Sequence, residues 1–198
     1  MILPRFDYIQ AATTQEALEA LNHHMEKAEV LAGGTDLLVN MKRKQVSPQV
    51  VVAIDQIDEL RGIGPADKGG LAIGPLSSMA LISRSPQGRK SYPALAAAAG
   101  KMGCEQGRNR ATIGGNLCSS RPAADSIGPL IVHDAQLELS GIDGIQREVA
   151  MEDFCTGPGQ CVRFRNEILT RIILPASPPG THSAFIKFGA RKAMEIAI

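Results

Sequence analysis

Two stretches of this chain set adjacent glycines among residues that donate hydrogen bonds: Leu31-Ala32-Gly33-Gly34-Thr35-Asp36 and, later, Ala111-Thr112-Ile113-Gly114-Gly115-Asn116. Glycine lets a backbone approach a ligand closely and take positive φ, so that successive N–H groups point at one anion. The first stretch joins an apolar run to a helix-like run, where Thr35 adds a hydroxyl and the helix its positive end. The second offers a hydroxyl, two glycines and an amide without any charged side chain. Loops of this kind hold phosphate, and a cofactor with two phosphates is the simplest common ligand. Neither has the Gly-x-Gly-x-x-Gly spacing of a Rossmann unit or the Gly-Lys-Ser/Thr end of a P-loop, so a different cradle is implied. The competing readings are structural: a tight strand-to-helix turn capped by Asp36, and a glycine bulge or turn in a sheet.

Other polar residues offer less. Ser119-Ser120-Arg121-Pro122-Ala123-Ala124-Asp125 supplies hydroxyls and one carboxylate suited to sugar hydroxyls, although Asp125 serves equally as a helix cap. His23, His24, His133 and His182 have no Ser, Cys or carboxylate at useful spacing, so a hydrolytic triad or a metal site is unsupported. Cys104, Cys118, Cys155 and Cys161 contain no CxxC pair, which argues against zinc or an iron-sulfur cluster and reads as thiols in a reducing compartment. Lys42-Arg43-Lys44 is most simply a charge arrangement at a helix end.

The elements that position these loops follow from periodicity. Arg5 to Ile9 suits a strand; Thr13-Thr14-Gln15-Glu16 is a capping box for a helix whose apolar face is Ala17, Leu18, Leu21 and Met25. Ala28 to Ala32 and Val50 to Ile54 read as buried strands around a helix from Asp36 to Lys44, which implies a small parallel sheet. After Asp55 the pattern changes. A hairpin over Gly62 to Gly74, helices over Ser77 to Ser83 and Pro93 to Gly100, and strands over Ala135 to Leu139, Gln146 to Ala150, Ile168 to Leu174 and Ser183 to Phe188 make an antiparallel sheet with helices. The fold class is α+β, with one lobe over residues 1–56 and a second over 57–198. A length of 198 residues suits such a pair of lobes, and 21 Lys and Arg against 20 Asp and Glu, net +1, give no polyanion-tracking surface. With no Trp, no signal-like opening and no long apolar stretch, nucleic acid and membrane insertion are disfavoured and a soluble, cytoplasmic protein is expected. The apolar tail from Arg191 to Ile198 reads as entering a core and then stopping, as if the chain were cut short.

Taken in order, Leu31 to Leu38, Ala111 to Leu117, Asp125, Phe154-Cys155-Thr156-Gly157-Pro158-Gly159 and Glu167-Ile168-Leu169 resemble the FAD-binding (medium) subunit of the molybdenum hydroxylases, the family of xanthine dehydrogenase, carbon monoxide dehydrogenase and 4-hydroxybenzoyl-CoA reductase. The resemblance covers essentially the whole chain. It implies the two-lobed fold of the vanillyl-alcohol oxidase type, without the C-terminal lobe of the relatives, and FAD held between the lobes. The pyrophosphate would be taken by Gly33-Gly34-Thr35, flanked by Leu31, Ala32 and Asp36, and by the stretch containing Ala111, Thr112, Gly114, Gly115 and Asn116. Asp125 would face ribityl or ribose hydroxyls, Leu169 the ring system, and Lys187 falls near a flavin-contacting lysine. The flavin would relay electrons between iron-sulfur clusters on a small subunit, fed by a large molybdopterin subunit, and NAD or another acceptor. No catalytic acid, base or metal ligand is then required of this chain, and the isolated chain is expected to be inactive. Two rivals remain: a stand-alone flavoenzyme of the same wider fold, some of which attach flavin through a His beside the phosphate loop, where none stands here, and a non-catalytic remnant without flavin.

Overall fold

A computed structural model describes residues 2–191 and 194–196. The first lobe runs β1 (Asp7–Gln10), α1 (Thr14–His24), β2 (Ala28–Leu31), α2 (Leu37–Lys42) and β3 (Val50–Ala53), and its three strands are all parallel in the order β1-β3-β2. The last strand in sequence is central, which explains why Val50-Val51-Val52-Ala53 is wholly apolar and buried while β2, at an edge, is only half-buried. The capping box forms: the Thr13 hydroxyl accepts from Glu16 N at 3.2 Å and the Glu16 carboxylate from Ala12 N at 2.8 Å. Ala17, Leu18 and Leu21 face the sheet, but Met25 does not continue their stripe. It takes φ +44° just past the helix end and is exposed, because the chain must turn there to enter β2.

The second lobe is built on a five-stranded antiparallel sheet in the order β4-β5-β10-β6-β7. Its strands are β4 (Ile63–Pro65), β5 (Leu71–Ile73), β6 (Gln136–Ser140), β7 (Gln146–Ala150) and β10 (Ile168–Leu174); β8 (Cys155–Gly157) and β9 (Gln160–Cys161) form a separate hairpin. Between β5 and β6 the chain winds through α3 (Met79–Arg84), α4 (Pro86–Ser91), α5 (Pro93–Lys101), α6 (Glu105–Arg110), α7 (Ile113–Cys118) and α8 (Ile127–Val132), and α9 (Met151–Phe154) follows β7. The four-residue α9 was not expected, nor were four of the helices between β5 and β6: α4, α6, α7 and α8. Each of these last four spans six residues, too short to show a 3.6-residue period, and caps rather than apolar stripes start three of them: Ser85 Oγ, Cys104 Sγ and Thr112 Oγ1 each accept from the N–H three residues on.

Two apolar cores result. One gathers Leu71, Ile73, Tyr92, Leu95, Leu137, Phe154, Ile172 and Leu174 beneath the five-stranded sheet. The other lies under the parallel sheet and includes Ile57, Leu60, Leu76 and Ile168 from beyond residue 56, so the lobes share an apolar seam. The expected strand from Ser183 to Phe188 is not one. The segment alternates half-buried Ser183, Phe185 and Lys187 with exposed neighbours but joins no ladder among the described residues, and it lies as a strap over α5 and α8: Ser183 Oγ accepts from Ala94 N at 3.2 Å and meets His133 Nε2 at 3.1 Å. The described apolar residues of the tail do not enter a core either. Met194 and Ile196 are exposed, and Lys192, Ala193, Ala197 and Ile198 lie outside the described residues. No helix among the described residues is long and apolar enough to cross a membrane.

Candidate functional site

The lobes enclose a cleft of about 480 Å³, within the size range of cofactor sites, and both glycine stretches line it. On the first lobe the wall is the turn from β2 into α2. Gly34 sits at φ +75°, a conformation that favours glycine, whereas Gly33 does not; Gly33 is needed because a Cβ there would collide with the Arg110 carbonyl of the second lobe. Of the two glycines free to take positive φ, only Gly34 does so. Turning at Gly34 leaves the N–H groups of Gly33, Gly34, Thr35 and Asp36 without an acceptor among the described residues, the chain's first bond in this region being Leu38 N to Gly34 O at 3.2 Å. Four successive main-chain donors beside an open cleft form a nest for an anion.

The second stretch has a different build from the donor loop expected of it. Thr112 caps α7, and the N–H groups that were to be free are engaged: Ile113 N donates to Ser77 O (3.0 Å), Gly114 N to Pro75 O (2.9 Å), Gly115 N to Thr112 Oγ1 (3.1 Å) and Asn116 N to Thr112 O (3.0 Å). The glycines serve close approach instead. A Cβ on Gly114 would sit 2.6 Å from Pro75 Cβ, while at Gly115 the one heavy atom within reach is Thr112 Oγ1 at 3.0 Å, and beyond it is the cleft. This side therefore contributes a floor on which a ligand can lie against bare backbone, rather than a second set of donors.

Charged side chains rim the opening. Arg121, overlooked as a site residue, reaches from the second lobe to the first, its Nε 3.0 Å from Asp36 Oδ1 and its Nη2 donating to Asn40 Oδ1 at 3.0 Å. Asp36 is thus an ion-pair partner at the head of α2 and makes no capping bond. Nothing local in the sequence announces a bridge between residues so far apart. Arg163 also lines the cleft, anchored to the Phe164 and Glu167 carbonyl oxygens at 2.9 and 2.8 Å. Beside it the buried Glu167 carboxylate takes both Nε and Nη2 of Arg147 at 2.8 Å and Phe164 N at 2.8 Å; burial opposes its ionisation, but these donors prevail and hold it below the ordinary carboxylate range.

Nine of the candidate residues border the cleft: Ala32, Gly33, Gly34, Thr35, Asp36, Thr112, Gly114, Gly115 and Leu169, the last just before an irregularity in β10. Leu31 and Ala111 lie behind the walls. Asn116 is turned away, accepting from Ser126 Oγ at 2.6 Å. Asp125 and Lys187 are brought together, but with each other: Nζ to Oδ2 is 2.7 Å, both side chains are more than nine-tenths buried, and neither borders the cleft. Among the described residues no cluster of His, Cys, Asp and Glu has the arrangement of a metal site.

A small parallel lobe and an antiparallel lobe facing each other across a cleft lined by both glycine stretches define the two-lobed FAD-binding fold. The family follows directly: residues 4–177 match the FAD binding domain in molybdopterin dehydrogenase, and this chain belongs to that family. It is 36% identical over 191 residues to the xanthine dehydrogenase FAD-binding subunit of Escherichia coli O157:H7, covering 96% of this chain and 65% of that one. With the carbon monoxide dehydrogenase medium chain of Hydrogenophaga pseudoflava it shares 34% identity over 188 residues, 94% of this chain and 64% of the relative. The chain thus spans a little under two-thirds of the length of these relatives. Among solved structures it is similar to the carbon monoxide dehydrogenase from Hydrogenophaga pseudoflava that lacks the Mo-pyranopterin moiety of the molybdenum cofactor, with a TM-score of 0.95 and 32% identity over 100% of this chain and 68% of that one. The donor set fits FAD, since the neutral, unpartnered N–H groups at Gly33 to Asp36 complement a pyrophosphate and the bare backbone at Gly115 leaves room for it.

Proposed function

We propose that this chain is the flavin-holding part of the FAD-binding subunit of a multi-subunit molybdopterin oxidoreductase, relaying electrons between iron-sulfur clusters on a small subunit and NAD or another acceptor. The observation that carries the reading is the run of N–H groups from Gly33 to Asp36 that have no acceptor among the described residues, on a turn that lines the cleft. In this reading Gly33 to Asp36 bind the pyrophosphate, Gly115 lets it approach, Leu169 borders the ring system, and Arg121 closes the rim by tying the lobes together. We assign the buried Asp125–Lys187 pair to fixing the strap rather than to touching ribose. FAD, when bound, supplies the electron chemistry, and the protein positions and tunes it. We further propose that residues 1–56 and 57–198 act as the two lobes, that the protein is cytoplasmic, that a large molybdopterin subunit selects the substrate, and that the chain alone turns nothing over. The test is chemical. Denaturing the assembly that contains this chain should release a compound with the spectrum and mass of FAD, and repeated recovery of intact assembly without flavin sinks the reading.

A further inference from the structure

Cys155 and Cys161 are direct cross-strand partners in the β8–β9 hairpin. The bond from Val162 N to Phe154 O, 3.0 Å long, brackets them and marks a non-hydrogen-bonded position of an antiparallel pair. At such positions facing Cα atoms lie about 4.5 Å apart, with side chains on the same face and closest to each other. A disulfide spans Cα separations of roughly 4.4–6.8 Å, so a pair at this kind of position falls within its reach, although the hairpin's register shifts just beyond it, between Cys155 and Gly157. Both cysteines are free thiols and half-buried against the core beneath the five-stranded sheet, on a hairpin whose turn residues Pro158 and Gly159 are exposed to solvent. Ser120 Oγ lies 3.4 Å from Cys155 Sγ, and Cys161 Sγ lies 3.7 Å from the Cys118 carbonyl oxygen.

We infer that Cys155 and Cys161 form a reversible redox site, closing to an intrachain disulfide when a hydroperoxide reaches the hairpin. One of the two loses its S–H proton to water and its sulfur attacks an oxygen of the peroxide. The O–O bond breaks, hydroxide leaves and is protonated to water, and a sulfenic acid remains. The facing sulfur, giving up its own proton, then attacks that sulfenic sulfur; the S–S bond forms, the S–O bond breaks and a second water leaves. Two thiols and one hydrogen peroxide give one disulfide and two waters, the two electrons passing from sulfur to peroxide oxygen. A thiol or dithiol reductant restores the pair by exchange. Cys118, whose carbonyl oxygen meets Cys161 Sγ, is the bystander: burial pushes its thiol up to about 11, so it offers little thiolate for either step.

The readout is independent of flavin. Cys155 and Cys161 share the tryptic peptide Glu148–Arg163, whereas Cys104 and Cys118 fall in other peptides. After treatment of the purified chain with a small excess of hydrogen peroxide and alkylation, we expect peptide Glu148–Arg163 to lose two hydrogens and take no alkyl group, the loss being reversed by dithiothreitol, while Cys104 and Cys118 stay alkylated. Oxidation of Met151 adds oxygen and is told apart by mass. The same bridge should close in Cys118→Ser, and in Cys161→Ser the reaction should stop at a sulfenic acid on Cys155, trapped by a cyclic diketone. Full alkylation of both cysteines after peroxide, a bridge from either to Cys118, or oxidation straight to sulfinic acid overturns the inference.

Discussion

At the residue scale, the two glycine stretches use glycine for different reasons, and substitutions should separate them. Gly115→Asp adds a carboxylate toward the cleft, where only Thr112 Oγ1 stands in the way, so the protein should fold and lose FAD retention through repulsion of the pyrophosphate. Asp36→Ala removes only an ion pair in which both side chains are more than a third exposed, and such pairs contribute about 0–1 kcal/mol. It should retain FAD nearly as well as the parent. Flavin absorbance after gel filtration, with circular dichroism as the check on folding, compares the two, and equal retention would exclude the floor at Gly115 as the place where phosphate lies. Gly33→Ala acts elsewhere. Its methyl would meet the Arg110 carbonyl across the seam, so thermal stability should fall by about 1–3 kcal/mol, whereas Gly128→Ala, in a helix with nothing within 4 Å, should be neutral or stabilising.

At the element scale, the short helices stand on their caps and the β9–β10 connection on the ion pair of buried Glu167 with half-buried Arg147. Thr112→Ala takes the acceptor from Gly115 N and should cost about 1 kcal/mol, with Thr112→Ser recovering most of it in a denaturant titration. Glu167 sets an acid limit. Its carboxyl titrates below its ordinary value in the folded state, so its contribution is complete above the unfolded carboxylate pKa, about 4.3, and is lost as pH falls through the lowered folded value. Glu167→Gln should therefore lower the melting temperature at pH 7 and flatten its fall below pH 4; an unchanged acid limb would show that other carboxylates dominate it.

At the scale of the whole molecule, the lobes are joined by Ile168 in the core under the parallel sheet, by Arg121 on Asp36, and by Arg165, which reaches Glu29 at 2.6 Å and Glu26 at 3.3 Å. The carboxylates that line the cleft are engaged with arginines, Asp36 with Arg121, Glu29 with Arg165 and Glu167 with Arg147. Adding FAD to the 198-residue chain and to a form extended to the length of its relatives, then measuring flavin affinity and turnover with and without the iron-sulfur and molybdopterin subunits, should give substrate-dependent electron transfer only in the assembly. Turnover by the short chain alone would overturn the relay assignment.

What the sequence determined by itself is local. The capping box at Thr13 and Glu16, the all-apolar β3, the hairpin around Leu71 and the strand from Ile168 to Leu174 could all be read, because periodicity and caps act within a few residues. The ordered glycine stretches also pointed to the family, since they stand where backbone must lie close to backbone or ligand. Only the tertiary structure decided what each glycine meets. The acceptors that occupy Ile113 N and Gly114 N come from Ser77 and Pro75, the atom that forbids a side chain at Gly33 belongs to Arg110, and the partner that claims Asp125 is Lys187, all far away in the chain. Hydrogen-bond satisfaction and steric exclusion depend on those distant atoms, and no short-range pattern encodes them.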